Sequence, residues 1–155
     1  MAVTRVDRHI RAPRATVYRL LLDPIAVAQW MVPTGMTSVV HEFEARAGGG
    51  FRISLTYDAP TEAGKTTART DTSHGHFARL VPDQLVVQVV EFETADPALA
   101  GQQTITYTLE DADGGTLLRG VHEDLPDGVP PEDNELGWRI SLDQLANLAE
   151  VGRIE

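Results

Sequence analysis

Five histidines and no cysteine bound the side-chain chemistry open to this chain. His122 falls in phase with Leu118 and Gly120 near the end of a strand-like segment, so it should point inward with them. An imidazole there could orient a ligand or serve as acid or base near neutral pH. The competing account is a neutral histidine bonded to a backbone carbonyl, since buried polar groups are usually just satisfied. His41 alternates with Val40 and Glu42 and shares its phase with Val39 and Phe43. It is therefore expected on an apolar face, where His41 and His122 could form a polar island among apolar walls. His74 and His76 lie two apart on a strand and share a face, as a divalent-metal pair would, but no third ligand of clear spacing accompanies them. No metal site and no cofactor are expected.

The remaining charged groups point away from catalysis. Glu91, Glu93 and Glu123 sit at strand ends, and Glu42 and Glu44 alternate outward from Phe43, so all five read as solvated carboxylates. Lys65 is the single lysine and lies in a polar stretch, a poor place for Schiff-base chemistry. The glycines of AGGGF join two strands and do not open a helix, so no phosphate cradle or nucleotide site is expected. No residue is assigned a catalytic role.

The positioning elements follow from periodicity. Residues 3 to 11 alternate as a strand and end at Ala12-Pro13. Pro13 and Pro24 then suit the starts of two short helices, the first with Val17, Tyr18 and Leu21 on its apolar face, the second with Val27, Trp30 and Met31. From Thr37 the period changes to two. The hairpin 37–57 carries Phe51, Ile53, Leu55 and Tyr57 on one face, and 59–72 reads as a long polar loop. Strands follow at 73–81, 85–93, 103–110 and 116–123, with Asp113-Gly114-Gly115 marking a tight hairpin. The chain closes on an amphipathic helix from Pro131, in which Trp138, Leu142, Leu145 and Ala149 form one stripe beside Leu148. Leu136 and Ile140 lie opposite, covering the 124–131 loop or forming half of a homodimer contact. The class is α+β in a single domain, 1–155, with about seven strands.

Composition limits the partners. A formal net charge of −10 argues against nucleic acid, which is held by clustered Lys and Arg. No apolar run approaches a membrane span and MAVTRVDRHI lacks a signal-peptide core, so a cytoplasmic protein without a membrane partner is expected.

The segments IRAPRATVYRLLLDPIAVAQW, EARAGGGFRI, HGHFARLVPDQLVVQ, GTLLRGVHEDLP and LGWRISLDQLANL together resemble the START-like (SRPBCC, helix-grip, Bet v 1-like) superfamily, in the branch of activator of heat-shock-protein-90 ATPase homologues. The resemblance runs from about Val6 to Leu148. It implies a curved antiparallel sheet gripping the C-terminal helix, with a cavity between them. Two departures stand out: Met31 where the family often has a second tryptophan, and Gly120 where it usually has an aliphatic residue. A glycine there either opens room in the cavity or marks a bulge.

The leading expectation is a domain that binds a small apolar ligand, its activity unproven and an enzyme the less favoured reading. Its cavity residues are expected to be His122, His41, Tyr57, Trp30, Phe51, Gln88, Tyr107, Gly120, Trp138 and Leu142. The resemblance also implies two alternatives: a polyketide cyclase/dehydratase-like enzyme using a cavity histidine, and a protein that stimulates a chaperone ATPase. The second is disfavoured in a chain with no additional domain.

Overall fold

The computed structural model describes residues 2–32, 35–57 and 70–154. Lys65 and most of the expected 59–72 loop lie outside them, and residues 70 to 72 already belong to a strand. Strand β1 (Ala2–Ile10) is followed by helices α1 (Arg14–Leu21) and α2 (Pro24–Trp30). Six strands come next: β2 (Met36–Phe43), β3 (Gly50–Tyr57), β4 (Thr70–Val81), β5 (Leu85–Phe92), β6 (Gln103–Ala112) and β7 (Gly115–Leu125). Helix α3 (Pro131–Ile154) completes the chain.

The seven strands form one antiparallel sheet in the order β1-β7-β6-β5-β4-β3-β2. Successive strands from β2 to β7 are neighbours, whereas β1 and β2 lie at opposite edges of the sheet. The α1–α2 pair lies in the connection between them, and α3 packs on β1, α1 and α2. This is the helix-grip α+β fold that the sequence implied. The β6–β7 turn carries Asp113 and Gly114 at φ of 47° and 77°, the paired left-handed geometry that a two-residue hairpin matched to strand twist requires.

Helix α2 begins at Asp23, whose carboxylate accepts from the backbone N–H of Ile25 at 2.9 Å and of Ala26 at 3.5 Å, with Pro24 at the first helical position. The cap places Trp30 in the core at 1% exposure, where its Nε1–H donates to the Leu20 carbonyl at 3.1 Å. Asp23→Ala should therefore cost about 1 kcal/mol. In urea this is a lower unfolding midpoint with an unchanged slope; a change in slope would instead mean a less compact native state.

Strand β2 departs from simple alternation. Its pairing with β3 shifts between Val40 and Glu42, leaving His41 as the extra residue of a β-bulge. Val40 and Phe43 consequently pack on the core while Val39 is 50% exposed. One added residue reverses the phase of a two-residue repeat, so the expected inward set of Val39, His41 and Phe43 keeps only Phe43.

On α3, Leu142, Leu145, Ala146 and Ala149 are buried, and Trp138 and Leu148 pack against them half-buried. Glu132 and Asp133 lie in the first turn, where the helix dipole favours negative charge. Leu136 is 59% exposed on the other side.

Candidate functional site

His122 is 6% exposed on the inward face of β7 and has side-chain partners on both ring nitrogens. The indole Nε1–H of Trp138 donates to its Nδ1 at 3.1 Å. An indole nitrogen can only donate, so Nδ1 must carry a lone pair and the ring is the neutral Nε2–H tautomer. Nε2–H then donates to Gln103 Oε1 at 2.7 Å. Asn134 Nδ2 approaches Nδ1 from α3 at 3.3 Å, its amide oriented by the Thr4 hydroxyl, which donates to Asn134 Oδ1 at 2.6 Å. Burial pushes the imidazole pKa from 6.5 down to about 4, and two donors aimed at Nδ1 favour the same neutral form. The histidine is thus a neutral hub tying β1, β6, β7 and α3 together. Its partners are side chains and not the backbone carbonyl that the alternative reading supposed.

Beside this network lies a cavity of about 10 Å³, close to the smallest space that holds one water molecule. Its walls come from Thr4 and Val6 on β1, Ile105 and Tyr107 on β6, Gly120, Val121 and His122 on β7, and Trp138 and Leu142 on α3. Tyr107 is 1% exposed and its hydroxyl has no partner among the described residues, nor has Nε2 of Gln103, which is equally buried. Burial raises the Tyr107 pKa well above 10, so its hydroxyl stays protonated. Val6 and Leu142 also border an outer groove of about 140 Å³ between β1 and α3, spanned by the Arg8–Asp143 ion pair at 2.9 Å.

Gly120 pairs in unbroken register with Val6 and Tyr107, so it marks no bulge. A Cβ there would sit 3.7 Å from the Val6 carbonyl oxygen and 3.9 Å from Tyr107 Cδ1, both ordinary contacts. Its effect is to leave space in the cavity wall. Gly120→Ala should raise stability by about 0.5–1 kcal/mol, since alanine loses less entropy in a strand. A calorimetric melt would show the increase, and a fall would mean that the wall has no room.

Of the other expected cavity residues, Trp30 meets Tyr107 edge-on at 6.4 Å but does not line the cavity. Gln88 is buried between Phe77 and Ile105 in the adjacent ladder and is likewise outside the lining. Phe51 belongs to a second aromatic cluster with Phe43 and Phe77, and Tyr57 lies at the end of β3; neither reaches the cavity. His41 is exposed, and its Nε2 meets Ser54 Oγ at 2.8 Å. Four strands separate β2 from β7, so the two histidines form no island. Thr4, Gln103 and Asn134 were not anticipated. The signal for each was present: Thr4 is in phase with Val6, Gln103 with Ile105 and Tyr107, and Asn134 stands one helical turn before Trp138.

The carboxylates expected to be solvated are partly engaged. Arg52 donates two hydrogen bonds to Glu93, at 2.8 and 2.9 Å, and these hold the Glu93 carboxyl at about 2, with His74 adding to the effect. His74 sits between Glu91 at 3.0 Å and Glu93 at 3.1 Å. Among the described residues no group of three His, Asp or Glu side chains is placed to hold a metal. Nor is any helix among them long and apolar enough to cross a membrane.

Comparison with known proteins agrees with this architecture. The structure of a protein from Chromobacterium violaceum is 35% identical, with a TM-score of 0.85 and 96% of each chain covered. The solution structure of an AHSA1-like protein from Aeromonas hydrophila shares the fold at 16% identity and a TM-score of 0.72, over 99% of this chain and 96% of that one. DynU16, from the dynemicin biosynthetic locus, shares it at 20% identity and a TM-score of 0.67, over 97% of this chain and 48% of that one. No curated protein matches. Residues 11–150 match the family described as Activator of Hsp90 ATPase homolog 1-like protein. Family profile, fold and the 35% identical relative agree, and the chain belongs to the Activator of Hsp90 ATPase homolog 1-like family within the START-like superfamily.

Proposed function

We propose that this protein binds a small, mostly apolar molecule between α3 and the β1–β7–β6 side of the sheet. The observation that carries the reading is the Tyr107 hydroxyl: wholly buried, protonated, without a partner among the described residues, and carried by a side chain that lines the cavity. Leaving such a group unpaired costs about 1–3 kcal/mol, a cost that a ligand's acceptor atom would recover. The cavity as it stands is too small for an organic molecule, so binding draws α3 or its side chains aside. The groove across Val6 and Leu142 supplies the route. The same fold in DynU16, from a biosynthetic locus, is in keeping with a small-molecule role.

Acid–base catalysis by His122 is disfavoured, because both its nitrogens are engaged and burial opposes the imidazolium it would have to form near neutral pH. Native mass spectrometry of the protein mixed with a library of small uncharged compounds tests binding. Retained adducts that disappear in Tyr107→Phe support the site. Adducts indifferent to that change, or none at all, count against it.

A further inference from the structure

We propose that Trp138 is a built-in occupant of this site, and that the ligand is an uncharged, flat aromatic molecule whose own O–H or N–H replaces the indole on His122. The inference rests on the binding reading above and names the chemistry that the site selects. The indole itself displays what the site accepts. It lies edge-on to Tyr107 at 5.8 Å and 74°, edge-on to His122 at 6.0 Å and 79°, and donates to His122 Nδ1 at 3.1 Å. Once the indole swings away, Nδ1 loses the nearer of its two donors and keeps only Asn134 at 3.3 Å, so the O–H or N–H of an aromatic ligand can take the indole's place.

Two further features agree. Among the described residues no charged side chain lines the cavity, and the arginines of the outer groove, Arg8 and Arg139, are already paired with Asp143 and Glu135, so a carboxylate would lose its water without gaining a free counter-charge. Trp138 is also preceded by Gly137 in the interior of α3, where a Cβ would meet nothing within 4 Å. Packing therefore does not require glycine there, yet it weakens the helix by about 1 kcal/mol relative to alanine, beside the side chain that must move. Trp30, at 1% exposure and bonded to the Leu20 carbonyl, has no such freedom.

The test uses ¹⁵N-labelled protein titrated with 2-naphthol, 2-naphthoate and 2-methoxynaphthalene, following the two indole N–H resonances. 2-Naphthol should move the Trp138 resonance and leave that of Trp30 in place, whereas the charged and donorless analogues bind at least about tenfold more weakly. Removing the competitor with Trp138→Ala should tighten 2-naphthol binding about tenfold, as expected if the indole fills the site nine-tenths of the time. Gly137→Ala keeps the indole, stiffens the helix and should weaken binding about fivefold, which covers the case in which Trp138→Ala does not fold. Binding of 2-naphthol with the Trp138 resonance unmoved, equal binding of 2-naphthoate, or no gain in a folded Trp138→Ala would overturn the inference while leaving a ligand site intact. Silence of all three probes on every variant would overturn the aromatic class, and the binding reading would then stand or fall on the library result.

Discussion

Acidification from pH 6.5 to about 4 should remove roughly 3 kcal/mol of stability through one side chain, His122. Its pKa is depressed in the folded protein, so below 6.5 the unfolded chain takes up a proton that the folded chain refuses. The stability is fully present above 6.5, declines as the pH falls, and reaches its limit near 4, where both states are protonated. The groups around the ring are Gln103, Asn134, Trp138 and Thr4, none of which titrates in this window. Glu93 acts lower, because a carboxyl held at about 2 gives up its contribution only between 4.5 and 2. For a domain of this length the His122 effect is a fall in Tm of about 6–12 °C. His122→Gln should be less stable at neutral pH and should lose this slope. A variant that kept the wild-type slope would show that the slope belongs to other groups and that burial does not depress the His122 pKa.

Tyr107→Phe should have the opposite sign. The ring packs edge-on against Trp138 and Trp30 and its buried hydroxyl has no partner among the described residues, so deleting one oxygen removes an unpaid desolvation of about 1–3 kcal/mol while the ring contacts remain. A rise in Tm of about 2–12 °C is expected. If the proposed function holds, ligand binding should fall as stability rises, because the hydroxyl is then the donor that a ligand's acceptor would meet. A gain in stability with a loss of binding is the mark of a residue kept for function. If Tyr107→Phe is instead destabilised, the hydroxyl has a partner in the folded protein and is part of the scaffold.

The architecture was legible wherever a repeat continued unbroken. The α3 stripe, the Asp113-Gly114 turn and the alternation of Ile105, Tyr107 and Leu109 each expressed a single period, and each lies where that period puts it. His41 was misplaced because one extra residue in β2 turns its side chain to the other face, and a bulge leaves little trace in a repeat of two. The site was half legible for a different reason. Phase along a strand tells which residues face inward, but not which inward residues meet across strands. Phe51 and Gln88 share the inner face with Tyr107 yet line other parts of the core, while Gln103 and Asn134 reach His122 only through pairings set by the order of the sheet. A neutral His122 was among the readings of the sequence, but its tautomer and partners were out of reach, since they depend on a donor supplied by Trp138 from another element.

The central claim is that the cavity beside Tyr107 and His122 is a ligand site that opens against α3. The most direct measurement is backbone chemical-shift mapping of the protein against a library of small uncharged fragments. The perturbed amides are expected to cluster at Thr4, Val6, Ile105, Tyr107, Gly120 and His122, and to be silent in Tyr107→Phe. Fragments that instead perturb only the β2–β4 side of the sheet, or that leave the β1–β7–β6 cluster unmoved throughout, would contradict it.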